Sequence, residues 1–328
     1  MLIADQPFVS YGAKRHCLEK CMNDKSSLHN SMKDIGRFEQ VLNSKAPFMV
    51  PSYLRQKSLF GDHWAAEFDQ LIGAFAGSTD ERLEKAIEGY VNFAVDGMRL
   101  QRKYEKSGRY EPKSYEEAGH QVYHNRDYMF GLYLPGILLS HYLWPHHYRQ
   151  LQFFNRVIAP SIRDHPNPTF CDIGPGTGFY SRRFLETNER AEGWAFDISQ
   201  SSLDYSKMQT DAFGVGARYH LENRNVISDP TTRQWPFLMS VEVLEHLEDP
   251  LSFLRAIRGM LEVGGRGFIT AAVTAANEDH IYLYSSGDEV GTQMEEAGFT
   301  ILDRQYDRAY DPKGEEPVPI NAAFLVTR

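Results

Sequence analysis

A short, largely apolar run, a turn with glycine at every second position and an amphipathic stretch follow one another in FCDIGPGTGFYSRRFL, residues 170–185. That order dictates a strand, a tight turn and a helix, because glycine enters positive φ without steric cost. Gly174, Gly176 and Gly178, spaced G-x-G-x-G, keep side chains out of the turn, so backbone N–H groups and the helix N-terminus can approach a bound ligand. Asp172 closes the strand. A carboxylate there repels a pyrophosphate and suits a cationic amine, which separates this turn from the G-x-G-x-x-G loops that hold dinucleotides. A glycine-rich turn alone reads equally well as a plain strand–helix connection, so its surroundings decide.

The surroundings alternate strand and helix signals throughout 161–328. Strands are predicted at 169–173, 193–196, 217–221, 237–241, 266–272, 299–304 and 322–327, and helices at 179–185, 203–209, 251–261 and 288–297. Such alternation specifies an α/β sheet with helices on both faces. Asp197 ends the second strand, where a carboxylate can accept both hydroxyls of a ribose. As a bare residue it reads also as a helix N-cap. Residues 1–160 differ in kind. Apolar residues recur at helical spacing from Leu71 to Met98, with Ser78-Thr79-Asp80-Glu81 as a cap between two helices, and 105–118 reads as a loop. An aromatic-rich segment at 120–160 follows. The expected division is a mainly helical cap at 1–160 and an α/β core at 161–328. The first 40 or so residues read as an irregular arm or short helices.

Composition narrows the function. The chain has 328 residues, and its 44 Asp and Glu outnumber its 35 Lys and Arg. The acidic excess falls in the core, which disfavours binding to a phosphate backbone, so no DNA partner is expected. The longest apolar run, 129–144, is shorter than the roughly 20 residues of a spanning helix and is broken by Pro135, Gly136 and His141, so no membrane contact is expected. Three cysteines suit a reducing cytoplasm, and the opening residues lack a basic leader followed by an apolar core. His16, Cys17, Cys21 and His29 match no zinc-finger spacing and read as unrelated polar residues. The aromatics of 120–160 are candidates for a homodimer contact.

DIGPGTG, Asp197, EVLEHLEDP, LEVGGRGFIT and EDHIYLYSSGDEVGTQMEEAGF together resemble the class I S-adenosylmethionine (SAM)-dependent methyltransferases, in particular the small-molecule branch with the ubiquinone O-methyltransferases. The resemblance spans about 168–328. It implies a Rossmann-like, seven-stranded SAM-binding sheet and methyl transfer to a small-molecule acceptor, such as an aromatic or polar metabolite. Carried over by position, Asp172 and the backbone of Gly174, Gly176 and Gly178 would hold the amino-acid end of SAM. Asp197 would take the ribose, Ile198 the adenine face, and Asn223, or else Glu222, the adenine amine. Glu242, Val243 and Leu244 would lie beside the methionine. Pro236 stands where the family usually has an acidic residue, and Pro175 replaces a small residue. No (N/D)-P-P-(Y/F) motif follows strand four, which disfavours methylation of nucleic-acid bases. Methylation of a protein or RNA end, and reuse of the fold for cyclase or isomerase chemistry, are the alternatives.

Histidine is the natural general base near neutral pH. His246 and His280 in the core are candidates, with Glu245 beside them, as are His120, His124, His141, His146 and His147. The pair His146-His147 reads also as a satisfied surface pair. Tyr128, Tyr133 and His141 are the candidate acceptor contacts. The ExxEH triplet, with Glu242, Glu245 and His246, and His280 as a fourth donor, resembles the metal site of certain RNA-end and quinone methyltransferases, and its donors suit Mn²⁺ or Zn²⁺ at least as well as Mg²⁺. The same triplet occurs in relatives without a metal, so a divalent ion is not favoured.

Overall fold

The structure is a computed structural model and describes residues 32–77, 79–110, 114–118, 122–312, 314 and 317–328. Residues 1–31 of the expected N-terminal arm, the group His16, Cys17, Cys21 and His29, and His120 lie outside these residues, whereas Lys33–Lys45, which begins within that arm, is helical.

Seven strands form one sheet in the order β3-β2-β1-β4-β5-β7-β6. They are β1 (Thr169–Ile173), β2 (Glu192–Asp197), β3 (Tyr219–Asn223), β4 (Trp235–Ser240), β5 (Leu261–Val273), β6 (Thr300–Arg308) and β7 (Ile320–Thr327). β1 to β5 pair in parallel, while β7 inserts antiparallel between β5 and β6. Strand order reverses between β1 and β4, which opens a crevice at the carboxyl ends of those strands. All seven expected strands are present. Pro236 sits one residue inside β4, at a register shift against β5, so the ladder loses no central bond to it.

The described part of the N-terminal half is mainly helical, as expected. It contains α1 (Lys33–Lys45), α2 (Val50–Ala76), α3 (Asp80–Ser107), α4 (Leu134–Leu143) and α5 (Pro145–Val157). α2 is broken at Gly61, whose φ of 70° and ψ of −155° lie outside the helix region. Residues Met129–Tyr133 form a π-helical turn that leads into α4. α1 starts without a capping side chain of its own. Asp69 on α2 supplies one instead, accepting from the N–H groups of Asp34 and Ile35 at 2.9 and 2.8 Å. The indole of Trp64, fully buried, donates to the Tyr142 carbonyl at 2.9 Å and fastens α2 to α4.

The expected boundary near residue 160 is a change of secondary structure and not a break in packing. One apolar cluster runs from Phe38, Phe68 and Tyr142 in the cap to Phe170, Phe237 and Phe268 on the sheet. Phe153 and Phe154 on α5 reach Phe268 with ring centroids 6.0 and 5.2 Å apart. The opposite sheet face packs against α8 (Pro250–Met260) and α9 (Gly287–Glu296). α6 (Phe179–Thr187) follows β1, and α7 (Gln200–Ala212) follows β2. Among the described residues no helix is long and apolar enough to cross a membrane.

Gly178 starts α6 at φ 71°, and a Cβ there would stand 2.3 Å from Ser206 Oγ on α7. Strained backbone and overpacking together should make Gly178→Ala about 2–4 kcal/mol less stable in urea titration. A loss under 0.5 kcal/mol would show that α6 and α7 do not approach this closely.

Candidate active site between cap and core

The turn after β1 is built as a cradle. Gly174, Gly176 and Gly178 all have positive φ, and a Cβ on Gly174 would meet Val243 Cγ2 at 2.7 Å. Beyond Gly176 there is open space, on the side of a cavity that the turn lines. Asp172 is 2% exposed and accepts from Ser181 Oγ at 2.6 Å. Burial pushes its carboxyl up to about 7, against the pull of the Ser181 bond. Asp197 accepts from the Ser199 N–H at 2.8 Å, and burial lifts it to about 6 although the N–H groups of Ser199, Gly176 and Ile198 oppose the rise. Two carboxylates with so little solvation suit a ligand that offers a positive charge and hydroxyl donors. The donor set and the bare loop therefore fit SAM.

The cavity is continuous from this turn to the cap and measures about 1390 Å³. That exceeds the roughly 300–1,000 Å³ of a one-ligand pocket, so it has room for two molecules side by side. Its core wall includes Asp172, Asp197, Ile198, Glu242, Glu245, His246 and His280. Its cap wall includes Tyr133, His141 and Trp144.

Glu245, His246 and His280 converge, each offering a ligand atom within 4.8 Å of the others. His246 Nδ1 lies 3.1 Å from the Asp279 carbonyl and His280 Nδ1 2.7 Å from the Ala275 carbonyl. A carbonyl only accepts, so both Nδ1 atoms carry the proton when the rings are neutral, and both Nε2 atoms present lone pairs. Burial lowers His280 to about 4. Glu245 is fully buried, and neither carboxylate oxygen has a hydrogen-bond partner. Burial and the nearby Glu242 raise it well above the carboxylate range. Glu242 stands apart from this trio. Its carboxylate accepts from Thr270 Oγ1 at 2.6 Å, and its φ is 54°.

The segment 274–280 is held by the cap. Gln101 on α3 donates to the Thr274 carbonyl at 3.1 Å and accepts from Ala276 N at 2.9 Å. Asp279 is fully buried and accepts from Tyr133 at 2.5 Å and Tyr123 at 3.1 Å. Its carboxylate also lies 3.3 Å from His246 Nδ1. Burial alone would raise Asp279, but His246, His280 and the two tyrosine hydroxyls hold it below the usual range.

Two expected contacts fall elsewhere. Asn223 does not line the cavity. β3 runs two residues further than its apolar pattern indicates, so the residues beyond the strand that reach the cavity are Arg224 and Asn225, while Asn223 donates to the Ile198 carbonyl at 3.1 Å. Tyr128 does not line it either, because its hydroxyl is turned to Glu278 at 2.8 Å. His124 is likewise off the cavity wall. His146 and His147 are no surface pair. His146 is 6% exposed, and both line the cavity. The sequence reading missed Asp279 and Tyr123, although EDH itself offered an acid next to a candidate histidine.

Known proteins agree with the core. The profile of a family described as a methyltransferase domain matches residues 171–266. The ubiquinone biosynthesis O-methyltransferase of Aeromonas salmonicida is 30% identical over 38% of this chain and 52% of its own length. The tRNA U34 carboxymethyltransferase of Pseudoalteromonas atlantica is 28% identical over 38% of this chain and 38% of its own. The matched stretch thus spans about half or less of these relatives. An O-methyltransferase from neocarzinostatin biosynthesis, solved with SAM and 2-hydroxy-5-methyl naphthoic acid, aligns at TM-score 0.49 and 15% identity over 75% of this chain and 71% of that one. Residues 171–266 are thus similar to a methyltransferase domain.

The raised Asp172 gives a pH signature for the ligand-free protein. The folded carboxyl, at about 7, keeps its proton where the unfolded one, near 3.8, has lost it. Its contribution to stability is therefore present below about pH 4 and lost as pH rises through 7. Asp172→Asn removes this term, so the variant should gain stability relative to the parent progressively from pH 4 to 7. A constant difference across that window would mean Asp172 is not buried in this way.

Proposed function

We propose that the chain transfers a methyl group from SAM to a small-molecule acceptor enclosed between core and cap. The observation that carries this reading is the single cavity, too large for one ligand, with the glycine turn at one end and an aromatic wall at the other. Asp172 would hold the ligand ammonium, the backbone of Gly174 and Gly176 its carboxylate end, and Asp197 its ribose. SAM supplies a methyl group on a sulfonium, open to in-line displacement. The chain's part is then to align the acceptor, exclude water and remove a proton where the acceptor is a hydroxyl. His246 would accept that proton at Nε2, its ring held through Nδ1 by Asp279. The acceptor wall would be Tyr133, His141 and Trp144.

A second reading of the same residues is favoured by Glu245. Two buried carboxylate oxygens beside two imidazole lone pairs are a costly arrangement that either a proton on Glu245 or a cation joining all three relieves. Glu245, His246 and His280 would hold it. One carboxylate and two imidazoles suit Zn²⁺, Mn²⁺ or Fe²⁺ better than Mg²⁺. Such an ion would supply Lewis acidity toward an acceptor oxygen.

Four measurements check these readings. Incubation with SAM and a metabolite extract should release S-adenosylhomocysteine with label in a product of low mass. Label in protein or RNA, or SAM binding without release, would turn the assignment to a macromolecular acceptor or to non-methylating chemistry. Asp172→Ala should weaken SAM by about 1.5–3 kcal/mol in calorimetry, and unchanged affinity in a folded variant would remove the loop from the binding site. With turnover in hand, His246→Ala should cost about 10²–10⁴-fold. Insensitivity to chelator supports the metal-free base, whereas loss on chelation with recovery on Mn²⁺ or Zn²⁺ supports the ion.

A further inference from the structure

Three imidazoles converge on the cap wall. His141 ends α4, while His146 and His147 start α5, and all three line the cavity. The ring centroids of His146 and His147 are 4.5 Å apart, and those of His141 and His147 5.8 Å. Burial holds all three neutral, with His147 lowered to about 3. Flat surfaces frame them. Trp144 stacks on His146 at 5.6 Å and on Phe93 at 5.7 Å, and His141 stacks on Phe179 at 4.1 Å.

Their hydrogen bonds fix where each proton sits. Ser140 Oγ donates its one proton to the Ile137 carbonyl at 2.7 Å, so toward His147 Nδ1, 2.8 Å away, it can only accept. His147 therefore carries its proton on Nδ1 and turns a lone pair on Nε2 to the cavity. The other two rings are opposite. Nδ1 of His141 and Nδ1 of His146 are buried without a partner. An orphaned N–H costs more than an orphaned lone pair, so in both rings the proton lies on Nε2. His141 and His146 are each 6% exposed, and both line the cavity.

We propose that His141, His146 and His147 form an acceptor subsite for a planar ring that carries a hydroxyl next to a carbonyl or ether oxygen. The hydroxyl donates to His147 Nε2, the neighbouring oxygen accepts from His141 or His146 Nε2–H, and the ring lies along the Trp144 wall. Burial of unpaired polar groups is what gives such a site its selectivity, because an analogue without the hydroxyl leaves the His147 lone pair unmet. This specifies the acceptor side of the methyl-transfer reading and rests on it.

The test uses binding and not turnover, so it stands apart from the test of methyl transfer. 3-Hydroxyflavone and flavone, two planar probes that differ by the one hydroxyl, are titrated into the full chain with and without S-adenosylhomocysteine. Trp fluorescence and calorimetry report on the probes, and S-adenosylhomocysteine affinity is measured separately as the check on the SAM site. The parent should prefer the hydroxylated probe by at least tenfold. His147→Phe should abolish that preference, and Ser140→Ala, which frees the His147 tautomer without touching the ligand, should reduce it. His146→Phe should weaken both probes alike. Equal affinity of the two probes for the parent, no binding of either, or a preference that survives in both His147→Phe and Ser140→Ala overturns the subsite, whatever the result for S-adenosylhomocysteine.

Discussion

Among the described residues the cap shares one hydrophobic core with the sheet. α4 and α5 are wedged between α2 and α3 on one side and the sheet face on the other, with Phe153 and Phe154 against Phe268, and Tyr142 between Phe68 and Phe179. Aromatic pairs of this kind add about 0.5–1.5 kcal/mol each beyond the area they bury. More consequential is what they fix in space. The same two helices carry His141, His146 and His147, with Trp144 at the junction between them, so the packing that joins cap to core also sets the far wall of the cavity. A cap that came away from the sheet would lose its fold and its pocket together.

A second tie runs through the segment 274–280. Gln101, Tyr123, Tyr128 and Tyr133, all from the cap, hydrogen-bond to Thr274, Ala276, Glu278 or Asp279. Thr274 is held at φ 51°, and Glu242 at 54°. Non-glycine residues at positive φ cost on the order of 1–3 kcal/mol and persist where their surroundings over-determine them. Here the surroundings are the candidate site. Asp279 faces His246 at 3.3 Å, so the cap's tyrosines touch the group that orients the candidate base.

Much of this was legible in the sequence, because the strongest signals were local. The strand–turn–helix at 169–187 needs glycine at given positions, and Asp172 and Asp197 stand at strand ends where their neighbours put them. What failed was long-range or faint. β3 is an edge strand with three of its five residues exposed, so its apolar pattern ends before the strand does, and Arg224 and Asn225 line the cavity where Asn223 does not. Helical periodicity showed that α5 was amphipathic but not that its partner was the sheet. Tyr128 and Tyr133 look alike in sequence, yet the π-helical turn between them sends one hydroxyl to Glu278 and the other to Asp279. The ExxEH spacing suggested four ligands, whereas the left-handed backbone at Glu242 gives its carboxylate to Thr270.

The central claim is that one cavity orders two ligands, with the sulfur of the first turned toward the cap. The most direct measurement is a crystal structure of the full chain with S-adenosylhomocysteine. The account expects the amine at Asp172, the ribose hydroxyls at Asp197, the adenine against Ile198, and the thioether sulfur open toward His246 and the wall formed by Tyr133, His141 and Trp144. A ligand seated elsewhere, or one whose sulfur faces away from the cap, would contradict it.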